Sequence, residues 1–285
     1  MVYQLLLPSE LIVEGEMASQ CFTRLLLSAP SERIAEVYRD SILALKASSP
    51  HLREATVECV ADPEGFRVGS GGGTLNVLDY ALCSDPHMDL KNEKILMIHS
   101  GGDSRRAPLY SLCGKAWITL NTSVEELDAE AEASLATPVA LLIDEIARFT
   151  KNLGKGSLIV CSSDVLLDIV SKQGPSAFPI DAVTVVSVPE DPYIATNHGV
   201  LLGSSADATA MADPFHISGL SDAYLQKPSV EDMFSKGAIY SHSTGSPVHA
   251  MPTPGDKDAY AMIDTGVVIF TGRALQTFAY ILYTI

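Results

Sequence analysis

The chain has 285 residues, with 19 Lys+Arg against 35 Asp+Glu and a formal net charge of −16. At 47% apolar and 19% charged residues its composition is globular, which excludes wholesale disorder. An acidic surface of this kind repels phosphate backbones and excludes a nucleic-acid binder, yet a few placed cations can still hold a small anion. The cysteines Cys21, Cys59, Cys83, Cys113 and Cys161 carry no CxxC pairing, which suits a reducing compartment. The N-terminus lacks a basic stretch and is interrupted by Pro8 and Glu10, so no signal peptide is expected. No run reaches the length of a membrane span. A cytoplasmic protein without membrane contact is the expectation.

In chain order, Pro30 and Ser31 open an amphipathic helix over 31–47, with Ile34, Val37, Tyr38, Ile42 and Leu45 on one face. ATVECVAD (55–62) reads as a strand, followed by a glycine-rich turn leading into the helix of RVGSGGGTLNVLDYALC (67–83). EKILMIH (93–99) is a buried strand that feeds a second glycine turn, SGGDSRR. Residues 123–133 form an acidic, solvated stretch. A helix is expected over 138–153, stopped by Gly154. SLIVCSS (157–163) is a third strand, running into Asp164 and an expected helix, VLLDIVSKQ. AVTVVSV (182–188) and AMIDTGVVIF (261–270) complete the strands. Strands alternating with helices indicate an α/β fold with a mostly parallel sheet.

The glycine segment Gly69-Ser70-Gly71-Gly72-Gly73-Thr74 precedes a helix, so backbone N–H groups are available to an anion. By spacing alone, ligand contact and a tight connection both remain open. The segment Ser100-Gly101-Gly102-Asp103-Ser104-Arg105-Arg106-Ala107-Pro108, with Lys115 behind it, carries more information. It leaves a buried strand at its carboxyl end, where open α/β sheets bind ligands. It also joins a backbone cradle to three cations in a protein short of them. Nucleotidyl transfer needs that combination, because charge develops on the α-phosphate oxygens and on leaving pyrophosphate. The alternative is a surface turn with salt-bridged arginines. Neither a P-loop nor a GxGxxG motif is present.

Asp164 at a strand end suits Mg²⁺ coordination or, more simply, a helix N-cap. Lys227, fixed by Pro228, reads either as a sugar-phosphate contact or as a solvated lysine. Asp264-Thr265-Gly266 reads as a strand-start turn. His99 and His198 flank these segments, and no zinc spacing or GxSxG elbow exists.

Together the segments RVGSGGGTLNVL (67–78), ILMIHSGGDSRRAP (95–108), VCSSDVLL (160–167), NHGVLL (197–202), LQKPSVEDM (225–233) and DTGVVIF (264–270) resemble the L-fucose-1-phosphate guanylyltransferase (GDP-fucose pyrophosphorylase) family. That module also occurs in bifunctional fucokinase/GDP-fucose pyrophosphorylases and in L-fucokinases. The resemblance implies a Rossmann-like sugar nucleotidylyltransferase domain over 55–285, cut short at the C-terminus, behind a divergent N-terminal helical segment over 1–54. It implies GTP and L-fucose 1-phosphate as substrates, with Mg²⁺. Gly101, Gly102, Ser104 and Arg106 would cradle the triphosphate, with Gly69, Gly71 and Gly72 near the nucleotide. Lys115 would stabilise charge at the α-phosphate and Asp164 would hold Mg²⁺. Lys227, Gly199 and Asp264 would line the sugar-phosphate side. A fused or missing C-terminal β-helix and kinase region would complete the molecule. A fucokinase-associated domain and a non-catalytic nucleotide- or sugar-phosphate-binding module are the competing readings.

Overall fold

The computed structural model describes residues 2–5, 21–100, 115–118, 120, 137–169, 175, 177–202 and 224–282. In chain order the elements are β1 (Val2–Leu5), β2 (Arg24–Ala29), α1 (Glu32–Ser48), β3 (Thr56–Ala61), α2 (Gly69–Ser84), β4 (Lys94–His99), α3 (Pro138–Phe149), β5 (Ser157–Ser162) and β6 (Leu166–Ile169). They continue with β7 (Val183–Glu190), α4 (Pro192–Ala195), β8 (Gly199–Leu201), β9 (Tyr224–Gln226), α5 (Val230–Ser235), β10 (Tyr240–Ser241), β11 (Ala259–Thr271) and α6 (Gly272–Leu282). The chain forms two compact units, one of Met1–Val183 with Val268–Ile285 and one of Thr184–Val267. Among the described residues no helix is long and apolar enough to cross a membrane.

The first unit is built on parallel strands in the order β3-β2-β4-β5, with the end of β11, Val268 to Thr271, antiparallel to β5. A parallel sheet is buried on both faces, so its strands are near-continuous apolar runs. RLLLSA in β2 is buried throughout and KILMIH in β4 is buried up to His99. Leu26, Val60, Ile95, Met97 and Leu158 form one core with Val77, Leu78 and Ala81 of α2 and Leu275 and Ala279 of α6. The alternate residues Leu25, Leu27, Leu96, Ile98 and Ile159 are buried on the opposite side. There Tyr38 of α1 packs on Trp117, 5.6 Å between ring centroids. Lys94 reaches across the same side to the end of α3, its Nζ donating to the Thr150 carbonyl at 2.7 Å.

The second unit pairs β8 antiparallel with both β9 and β11, and adds β10 and β7 to β11. The sheet is therefore mixed, and mostly parallel only in the first unit.

Several sequence expectations change. Asp264-Thr265-Gly266 lies in the middle of β11 rather than in a turn at a strand start. The strand Arg24–Ala29 sits between β3 and β4, so residues 1–54 supply a central strand as well as α1. The glycines Gly69 to Gly73 lie within the first turns of α2 rather than in a turn ahead of it. The helix expected to run to 153 ends at Phe149, where Thr150 caps it and Gly154 has no part in the cap. The helix expected after Asp164 is the strand β6, paired parallel with β1. A short apolar run such as VLLDI carries no decisive period. Tertiary partners decide it, including the Glu145 carboxylate that accepts the Ile169 N–H at 2.7 Å. The acidic stretch at 123–133 lies outside the described residues.

Burial pushes the Lys94 ammonium down to about 8 from an ordinary 10.5. Between those pH values the unfolded chain holds a proton that the folded one has released, so folding becomes more favourable as pH rises. The stability of the protein relative to Lys94→Met should rise from pH 8 to 10.5 in urea melts. A flat difference over that window would contradict the buried position of this lysine.

Candidate functional site

In the first unit, β2, β4 and β5 end in one register row, Ser28 beside His99 and His99 beside Ser162. The His99 ring lies between Ser28 Oγ, 3.0 Å from Nδ1, and Thr74 Oγ1 of α2, 2.8 Å from Nε2. Burial pushes the His99 pKa below its ordinary value. The His99 carbonyl accepts the Ser163 N–H at 2.9 Å, and Ser162 Oγ donates to Asp164 Oδ1 at 2.5 Å. Asp164 is thereby held, exposed, just past the strand end. No helix follows it, so the N-cap reading falls. The start of α2 is also exposed there, without a side-chain cap. Gly69 adopts φ +71, which favours glycine, and a Cβ at Gly69 or Gly71 would meet open space.

Gly101, Gly102, Ser104 and Arg106 lie outside the described residues, as does Arg105. Lys115 opens a single 3₁₀ turn, Lys115–Trp117. Among the described residues no group of three or more His, Cys, Asp or Glu could hold a metal ion. Among the described residues, the β5 end offers the exposed carboxylate of Asp164. That fits Mg²⁺ held chiefly by substrate phosphates and water, and not an all-protein cage. The thiols of Cys59 and Cys161 are both buried and pushed up, Cys59 to about 12, so neither is a thiolate nucleophile.

In the second unit, three residues singled out in the sequence come together. Gly199 pairs with Gln226 across β8 and β9, and the next residue, Lys227, donates its N–H to the His198 carbonyl at 3.0 Å. Lys227 has φ +47, a left-handed conformation costly for a residue with a side chain. Asp264 accepts the Tyr224 hydroxyl on Oδ2 at 2.5 Å. A Cβ built on Gly199 would overlap both that carboxylate oxygen and the Tyr224 hydroxyl. Burial and the Asp264 contact raise the Tyr224 pKa, so the phenol remains the donor. Neighbouring Thr265 turns to the other face of β11 and donates to the Val186 carbonyl at 2.8 Å. Pro228 and Ser229 start α5 as expected, and Ser229 and Asp232 form a reciprocal capping box.

The model of the fucose pyrophosphorylase domain matches residues 87–284. The chain belongs to the fucose pyrophosphorylase family. It is 30% identical over 276 residues to the bifunctional fucokinase/GDP-fucose pyrophosphorylase of Arabidopsis thaliana, covering 88% of this chain and 23% of that protein. It is 30% identical over 181 residues to the fucose-1-phosphate guanylyltransferase of Mus musculus, covering 63% of this chain and 28% of that protein. The Homo sapiens fucose-1-phosphate guanylyltransferase is 31% identical over 180 residues, or 62% of this chain and 27% of its own. The chain spans about a quarter of the length of these curated relatives. The family match begins after α2, so Gly69, Gly71 and Gly72 lie ahead of it, while Asp164, Gly199, Lys227 and Asp264 lie within it.

Sequence reasoning missed Tyr224, Thr74 and Ser28 as partners of site residues. Tyr224 is three residues before Lys227, and alternation along β9 was the one signal available for it. A large cavity of the first unit, about 510 Å³, opens elsewhere, among Lys91, Gly156, Phe178, Thr271 and Gln276. It adjoins Ser157, at the amino end of β5, away from the strand ends just described.

Gly199→Ala should destabilise the chain by about 1–3 kcal/mol through overpacking. Tyr224→Phe removes one of the three overlapping atoms and frees the ring, whose Cζ is another, from its hydrogen bond to Asp264. In a double-mutant cycle by urea denaturation the pair should therefore be non-additive by about 0.5 kcal/mol or more. Additive losses would separate Gly199 from Tyr224.

Proposed function

We propose that this chain transfers GMP from GTP to L-fucose 1-phosphate, giving GDP-L-fucose and pyrophosphate. The observation that supports it best is the cluster in the second unit, where Gly199 and Asp264 lie on the adjoining strands β8 and β11 and the strained Lys227 directly follows β9. Those three positions are the ones the family pattern assigns to the sugar phosphate. The relatives named guanylyltransferases supply the nucleotide half of the reading. The fold would be the Rossmann-like nucleotidyltransferase type in a reducing, cytoplasmic setting.

The reaction needs no covalent enzyme intermediate. A phosphate oxygen of the sugar attacks the α-phosphorus, the bond to the β-phosphate oxygen breaks, and pyrophosphate leaves with the electron pair. The protein's share is positioning and charge stabilisation. Gly101, Gly102, Ser104 and Arg106 would cradle the triphosphate, and Lys115 would neutralise charge growing on the α-phosphate. Gly69, Gly71 and Gly72 would offer N–H groups of α2 to the nucleotide. Asp164 would hold Mg²⁺, which when bound supplies charge neutralisation on the phosphates. Lys227 would hold the sugar phosphate, and Asp264, aimed by Tyr224, would accept from sugar hydroxyls.

A coupled pyrophosphate-release assay should show turnover that needs both GTP and fucose 1-phosphate. GTP binding without turnover would select the non-catalytic module instead. Lys115→Ala should lower kcat about 100-fold or more with little change in Tm. Lys227→Gly separates strain from function. The left-handed backbone suits glycine, so Tm should hold within a few degrees. The KM for fucose 1-phosphate should nevertheless rise about tenfold or more with the lost charge-assisted contact. An unchanged KM would remove Lys227 from the sugar-phosphate side.

A further inference from the structure

The hydrogen-bond chain through His99 can be assigned a direction. Thr74 Oγ1 lies 2.8 Å from the Ser70 carbonyl, which can only accept, so the single Thr74 hydroxyl hydrogen is committed there. Toward His99 the same oxygen must accept, which places the imidazole hydrogen on Nε2. In the neutral ring Nδ1 is then bare, and Ser28 donates to it. The chain runs from Ser28 through His99 and Thr74 to the carbonyl of the second residue of α2. Gly73 lies directly against the ring, where a Cβ would come within 3.3 Å of Cε1.

His99 contacts both the start of α2 and the segment that leads to Asp164. Its ring holds the first turns of α2. Its carbonyl holds the Ser163 N–H, one residue before Asp164. Its backbone leads directly into Ser100 and the residues of the second glycine segment. A histidine serving only the core would not need its polar atoms spent on a helix start and a strand end.

We infer that His99 is a positioning residue for the nucleotide: it locks the first turn of α2 to the ends of β2 and β4, and so fixes the N–H groups of Gly69 to Gly72 relative to Ser100 and Asp164. This rests on the guanylyltransferase reading above. His99 acts through those groups and not by contact with substrate. It governs affinity for the nucleoside triphosphate rather than for the sugar phosphate.

Thr74 offers the cleanest test, since Thr74→Val keeps the shape and removes the acceptor, whereas Thr74→Ser retains it. On the full chain, Thr74→Val should raise both the KM and the calorimetric Kd for GTP about tenfold. Thr74→Ser should restore both to within about twofold of the parent. The KM for fucose 1-phosphate should stay within about twofold in both variants. If Thr74→Val fails to fold, Ser28→Ala carries the same expectation, because it removes the donor that holds Nδ1 of the ring at the end of β2. GTP parameters that stay within twofold, or equal losses for both substrates, would overturn the role of His99. A parent chain that neither binds GTP nor turns over would overturn the guanylyltransferase reading and this inference with it. An active parent with insensitive variants would overturn the inference alone.

Discussion

The carboxyl edge of the first unit depends on parallel strands ending in register. Parallel hydrogen bonding sets Ser28, His99 and Ser162 side by side on one face. Shifting one strand by a residue would turn its polar end to the other face and its apolar run out of the core. The core of Leu26, Met97 and Leu158 therefore enforces the polar row above it. Helix α2 is tied to the same face at both ends. Thr74 meets His99 near its start, and Asp85, just past its end, meets the buried guanidinium of Arg24. Arg24 also lies 3.3 Å from Glu93 and 3.8 Å from Glu58, so carboxylates from separate elements converge on one charge. Removing that guanidinium would leave like charges facing each other, partly buried.

The second unit obeys a different constraint. Its strands β8, β9 and β10 are short and pair antiparallel, and backbone geometry rather than core volume sets its site. A positive φ at Lys227, a bare Cα at Gly199 and a phenol on Asp264 define it. The two units thus rest on different physical devices. One offers exposed helix N–H groups and a strand-end carboxylate. The other offers a constrained lysine and an oriented acid.

Much of this was legible from residue patterns. The apolar runs of β3, β4 and β5 announced buried strands, and Pro228-Ser229 announced a helix start that the capping box then completed. What was not legible came from distant partners. Arg24–Ala29 begins with a charge, and nothing local marks it as the strand between β3 and β4. The residues after Asp164 became a strand because β1 lies beside them, more than 150 positions away in sequence. Asp164 itself was found at the strand end as expected, but without the helix that would have made it a cap. Tyr224 and Asp264 are 40 residues apart, and no spacing rule joins a tyrosine to an acid at that distance. Gly199 could be recognised by pattern. Why it must be glycine is visible only once both partners lean over it.

That last contact also limits how this site can drift over generations. Position 199 has no room for a methyl group while Tyr224 and Asp264 keep their contact. A larger residue there costs least once the tyrosine has been shortened or the acid lost. The favoured order of substitutions is therefore for the partner to yield first and the glycine to follow. Lineages that retain the tyrosine–aspartate pair should favour glycine at this position.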